Sequence, residues 1–165
     1  EGYGPGGVAM LVEVITDNKN RTVPEIRTCF TKYHGNLAAS GSVAWMFTKK
    51  GYFVVDKKNV SEEKLWEIVL EAGAEDIKDE GEDIFEIYSI FENFESVRKA
   101  LEENKIKVTS SEIAMIPKTT VHLEGKEAEH MLQLMESLED HDDVQKVYAN
   151  FDIDEKILEK IASSG

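Results

Sequence analysis

The chain has 165 residues, 41% of them apolar and 32% charged, with three prolines. That is enough apolar material to pack one domain or two small ones, and it is not the composition of a disordered chain. A formal net charge of −14 repels phosphate backbones and anionic membranes at long range, yet the charge is polarised: residues 1–60 hold eight Lys/Arg against five Asp/Glu, and the remainder eleven against twenty-eight.

The chain opens Glu1-Gly2-Tyr3-Gly4-Pro5-Gly6-Gly7, a glycine-rich segment without an initiator Met, as expected for a piece of a longer protein. Phosphate-cradling loops run from a strand into a helix, whereas this one runs into a strand, so Gly4, Pro5, Gly6 and Gly7 are expected to form a flexible interdomain joint. Residues 8–16 are a nearly continuous apolar and β-branched run, the pattern of a buried central strand. A polar loop from Asp17 to Arg21 precedes Thr22 and Glu25, which are spaced as a capping box. Pro24 then sits in the first helical turn, and Ile26, Cys29, Phe30 and Tyr33 line one face of a helix that ends at His34-Gly35-Asn36. Strands are expected at 43–47 and 52–55, a helix over 61–72, and two strands over 74–79 and 84–90 joined at Asp79-Glu80-Gly81-Glu82. Phe94, Val97 and Leu101 mark a helix, and a strand over 108–116 stops at Pro117. Strands over 120–123 and 144–151 flank a helix over 126–139, and a short helix near 154–161 closes the chain.

This order repeats β-α-β four times, which makes an α+β chain of two ferredoxin-like β-α-β-β-α-β modules. Periodicity leaves two partitions open. A tandem arrangement is cut near Gly81, with Lys49-Lys50-Gly51 as an internal hairpin turn; a nested one inserts residues 51–116 between the halves 7–48 and 119–151.

Asn18, Lys19, Asn20, Arg21 and Thr22 gather amides, cations and a hydroxyl just ahead of a helix N-terminus, where backbone N–H groups and the dipole favour anions. Arg27 and Lys32 extend the charge along the polar side of that helix. These residues are the best candidate for phosphate contact, set against the alternative of a solvated loop with an ordinary cap. Lys49-Lys50 and Lys57-Lys58 read as solvated turn charge. Glu139, Asp140, His141, Asp142 and Asp143 form an acidic knot at a helix C-terminus, where acids are mildly unfavourable, and it lacks the ligand spacing and turn glycine of a calcium loop. It is expected to be a solvated or partner-facing loop. No histidines stand at i, i+4, and Cys29 lies beside an apolar stripe, so the sequence points to no catalytic residue, no metal and no cofactor. One cysteine excludes an internal disulfide and fits a reducing compartment, and no apolar run approaches the roughly 20 residues of a membrane span.

Glu1 to Val8, Thr16-Asp17-Asn18-Lys19-Asn20-Arg21-Thr22, Gly35-Asn36-Leu37, Gly41 to Phe47, and Asp142 to Val147 with Asn150-Phe151 together resemble the second and third domains of the YebC/PmpR family. That family includes proteins named as probable transcriptional regulators and the mitochondrial translational activator of cytochrome c oxidase subunit I. His34 stands where the family usually has a glycine.

The resemblance implies the nested arrangement, with residues 1–48 and 118–165 forming one discontinuous module and 49–117 the inserted one. Lys49-Lys50-Gly51 and Pro117-Lys118-Thr119 then become adjacent crossings and a hinge. It further implies that a basic helical N-terminal domain of the family is absent from this sequence. Function is expected to be non-enzymatic regulation of gene expression, by DNA binding or, alternatively, as a ribosome-associated translation factor that relieves stalling, for example at proline runs. Nucleic acid, DNA or ribosomal RNA, would be held mainly by the absent domain, with no membrane partner. The location implied is the bacterial cytoplasm, or the mitochondrial matrix for a eukaryotic source.

Overall fold

The computed structural model describes residues 1–79 and 83–154; the expected turn residues 80–82 and the expected closing helix from residue 155 onward lie outside them. The chain divides into two compact units, Glu1–Thr48 with Pro117–Gly165, and Lys49–Ile116. The first opens with β1 (Gly2–Tyr3), a 3-10 turn at Pro5–Gly7, β2 (Ala9–Val14), α1 (Lys19–Lys32) and β3 (Asn36–Leu37). There follow β4 (Phe47–Asp56), α2 (Glu62–Glu71), β5 (Ala74–Lys78), β6 (Ile84–Ile90), α3 (Phe94–Glu103) and β7 (Val108–Pro117). The chain then returns to the first unit as β8 (Val121–Leu123), α4 (Gly125–Glu139), β9 (Val144–Ala149) and β10 (Phe151–Ile153).

The second unit has the ferredoxin-like strand order β5-β6-β4-β7, with the first and third strands central. Alternation along the strands sends Phe53, Val55, Ile77, Phe85 and Ile87 to one face, where Leu65 and Val69 of α2 and Val97 and Leu101 of α3 close the core. Ser61 caps α2 by accepting the Lys64 N–H. The strand expected at 43–47 is instead a 3-10 turn, Ala44–Met46, and β4 starts only at Phe47. Lys49-Lys50-Gly51 is no hairpin turn either; it lies within β4, with Lys50 opposite Ile90 and Gly51 opposite Ser89. Gly51 is there because the Ser89 hydroxyl and the Phe94 ring close over the place a Cβ would fill, so a residue that signals a turn in sequence marks a close approach in space.

The first unit builds its sheet in the order β3-β1-β2-β9, while β8 and β10 form a separate parallel pair. In the ferredoxin-like order the place beside β2, opposite the last strand, belongs to the third strand of the repeat. Here the two-residue β1 holds it, pairing Gly2 with Met10 and Tyr3 with Ala9, and β8 pairs elsewhere. Met10, Ile26, Phe30, Leu123, Met131, Leu134 and Leu138 are the buried centre between this sheet, α1 and α4. The run expected as one strand over 144–151 is broken at Asn150, which is 4% exposed. Its side-chain oxygen accepts the Ala9 N–H at 2.7 Å, its own N–H donates to the Ala9 carbonyl, and its carbonyl accepts from Val121. One residue thereby joins β2 to the β8–β10 pair with those buried polar groups satisfied.

Truncating Asn150 leaves the Ala9 N–H buried without its partner. Asn150→Ala is expected to lower unfolding stability by about 1–3 kcal/mol in urea titration, with little change in the denaturant slope.

Candidate nucleic-acid interface

The cap of α1 is Asn18, not Thr22: the Asn18 side chain accepts the Arg21 N–H at 3.2 Å, one full turn earlier than the capping-box spacing predicts. Pro24 therefore lies inside the helix. Thr22 is 1% exposed, and its hydroxyl is the middle of a chain of hydrogen bonds. The Asn18 N–H donates to Thr16 Oγ1 at 3.0 Å, the Thr16 and Thr22 hydroxyls lie 2.7 Å apart, and Thr22 donates to Asp143 Oδ2 at 2.7 Å. Arg21 meets the same carboxylate oxygen at 3.0 Å. Bonds ending on a charged acceptor are the strong ones, and each donor in such a chain polarises the next.

Asp143 thus places a carboxylate at the helix N-terminus, the position the sequence marks for an external anion. The Thr22 hydroxyl and then Arg21 hold its carboxyl below the usual range, and Asp143 in turn raises the Arg21 guanidinium. Beside it, the Asp143 N–H donates to His141 Nδ1 at 3.1 Å, so the ring proton resides on Nε2 and is donated to Glu25 Oε2 at 2.6 Å. Glu25, His141 and Asp143 offer three potential metal ligands close together. The tautomer opposes that use, because Nε2, the nitrogen facing Glu25, carries the proton, and Asp143 already has a guanidinium on one oxygen. The knot at 139–143 is a clasp that ties the turn before β9 to α1.

The expected contact residues consequently separate. Thr22 is buried and is corrected to a structural role; Asn18 is spent on the cap, and Arg21, although half-exposed, is paired. Asn20, Arg27 and Lys32 are exposed on α1, and Lys19 sits at its first position. Arg27 and Lys32 line a shallow depression together with Pro24, Thr28 and Thr31. Thr28 and Thr31 turn their hydroxyls back onto the carbonyls of Pro24 and Arg27.

The flexible joint expected at Gly4, Pro5, Gly6 and Gly7 is built into the first unit. Gly4 and Pro5 are buried, and a Cβ on Gly4 would stand 2.7 Å from the Met131 sulfur. Gly6 and Gly7 take φ of 76° and 80°, a conformation that only glycine adopts without cost. Of the second basic cluster, Lys50 pairs with Glu75, Lys57 pairs with Asp79, and Lys49 lies 4.3 Å from the centre of the Phe91 ring.

A family model described as the TACO1/YebC second and third domain matches residues 1–151. A probable transcriptional regulatory protein from Natranaerobius thermophilus is 54% identical over 162 residues, 96% of this chain, and one from Geobacter sulfurreducens is 56% identical over 161 residues, 98% of it. The crystal structure of a conserved hypothetical protein from Aquifex aeolicus superimposes with a TM-score of 0.85 at 45% identity over 95% of the chain. The chain spans 64% of the length of those two relatives and 65% of that solved chain.

Because folding lowers the Asp143 pKa, its contribution to stability is fully present above the unfolded carboxylate value of about 4 and is lost as pH falls through the folded value. Asp143→Asn is expected to melt several degrees lower than the parent at pH 7, and the two melting temperatures to converge as pH falls below about 4. A gap that persists unchanged at pH 3 would show that charge is not what the clasp supplies.

Proposed function

The chain belongs to the TACO1/YebC family, and from that premise we propose that it is a non-enzymatic regulator of gene expression whose first unit contacts nucleic-acid phosphates through the exposed side of α1. Relatives named as probable transcriptional regulatory proteins support the regulatory role. The observation that carries the contact is the charge balance of α1. Its one acid, Glu25, is bound by His141 and one of its cations, Arg21, by Asp143, which leaves Lys19, Arg27 and Lys32 unopposed by any acid of the helix. Around the helix, Arg27 and Lys32 are about 140° apart, so they can reach successive phosphates on either side of the depression, with Asn20 as a neutral donor near Arg27.

The clearest shifts among the described titrating groups have structural causes. Here three bonds from backbone N–H groups of Gly41, Ala44 and Val43 hold the Glu1 carboxyl down at about 2. Asp143 is also lowered, and Tyr52, which donates to Glu86 at 2.5 Å, is raised first by burial and then by that bond. Each shift strengthens the protonation state already present at pH 7.

Double substitution Arg27→Ala with Lys32→Ala is expected to weaken duplex DNA binding at low salt and to reduce the slope of log affinity against log salt by about 2, with the melting temperature unchanged. Parallel sedimentation with ribosomes separates the regulated step: association that survives moderate salt, where DNA binding is lost, assigns the same α1 surface to translation. Unchanged binding in both assays would return Lys19, Arg27 and Lys32 to ordinary solvated charge.

A further inference from the structure

Trp45 is 64% exposed, the larger part of an indole left in water on a surface where such residues are uncommon. It is also anchored. Its Nε1–H donates to the Ser42 carbonyl at 3.0 Å, and the 3-10 turn that carries it is fastened by the Glu1 carboxylate. Glu1 accepts the backbone N–H groups of Gly41 at 2.5 Å, Val43 at 3.0 Å and Ala44 at 2.7 Å, the last two flanking the start of that turn. Gly41 has a φ of 90°, left-handed backbone that lets the loop bend back onto Glu1. Val43, directly beneath, is fully buried, so the loop is anchored from inside while its aromatic ring stays outside.

The electrostatic setting selects among partners. In a chain with 33 acids among 165 residues, the thirty residues between Glu25 and Asp56 contain none, where an even spread would place about six. That acid-free stretch includes Arg27 and Lys32 of α1 and the whole Trp45 loop. Glu1, the acid that fastens the loop, has its charge met by three N–H donors. A polyanion meets no acid among the loop's own residues, and an exposed indole held by a backbone hydrogen bond offers a flat face to another flat ring.

We propose that Trp45 is a stacking platform for an unpaired nucleobase, so that the nucleic acid bound by the first unit includes a single-stranded segment laid across the loop at Ser40–Trp45. This rests on the reading of α1 as a phosphate contact and adds to it the strandedness of the ligand. Bases in a duplex are stacked on each other and cannot present a face to Trp45 without being unstacked, while every base of a single strand can, with little regard to sequence.

The test uses the full 165-residue chain carrying Trp66→Phe, which leaves Trp45 as the sole indole. Titration at low salt with single-stranded oligouridine and oligothymidine is expected to quench its fluorescence to saturation, and a blunt duplex of equal length to leave it unquenched. In an independent anisotropy assay with labelled oligonucleotide, Trp45→Ala is expected to weaken binding about tenfold and Trp45→Phe much less. Single-strand binding that Arg27→Ala with Lys32→Ala weakens but Trp45→Ala does not would overturn the stacking role and leave the α1 reading standing. No binding to any nucleic acid or ribosome by the parent chain would sink both. Loss of ribosome association in Trp45→Ala with no oligonucleotide quenching would also overturn it, in favour of a protein pocket that receives the indole.

Discussion

The pairing of β2 with β9 is the constraint on which the first unit depends, because it joins stretches of chain that meet at Ala9 and Asn150, 141 residues apart. Closing so long a loop is entropically opposed, although the cost grows only slowly with length. Two devices offset it. The inserted segment folds into a unit whose first and last strands, β4 and β7, are neighbours in one sheet, so its ends are brought side by side by its own core. The returning strand is then pinned at both ends by polar residues. Asn150 exchanges hydrogen bonds with Ala9 at one end, and at the other the Asp143 carbonyl takes the Ile15 N–H while its carboxylate holds Thr22 and Arg21.

That second pin has an electrostatic consequence for the surface. A helix N-terminus with flanking cations is a generic anion site, and this protein satisfies it with an acid of its own. The cations of α1 that no acid of the helix opposes lie further along it, Arg27 and Lys32, and at its first residue, Lys19. The clasp therefore both stabilises the fold and relocates the exposed positive charge. In a chain of net charge −14, such partition of cations into paired and unpaired sets matters more than their number.

Much of the secondary structure was legible in the sequence. The buried run that became β2, the stripe Ile26, Phe30 on α1 and the amphipathic helices all obey local periodicity. The failures share a physical origin. Val43 to Phe47 is apolar enough for a strand, but Glu1 draws the loop into a 3-10 turn; Gly51 looks like a turn, yet it makes room for Ser89 and Phe94. Thr22 and Glu25 have capping-box spacing, but each is claimed by a residue near position 142, the Thr hydroxyl by Asp143 and the Glu carboxylate by His141. The one available signal was the oddity of acids gathered at the C-terminal end of α4, an arrangement unfavourable for that helix alone and explained once they serve another.

By itself the sequence determined the α+β class, the β-α-β-β-α-β order of the second unit and the polarised charge, because each of these depends on composition or on periodicities of two and 3.6 residues. Tertiary structure alone decided that Arg21 and Thr22 are committed to Asp143 and that Trp45 is fixed on the outside. Those outcomes turn on which residue more than a hundred positions away, or forty in the case of Glu1, competes for a given donor or acceptor, and local pattern carries no information about that competition.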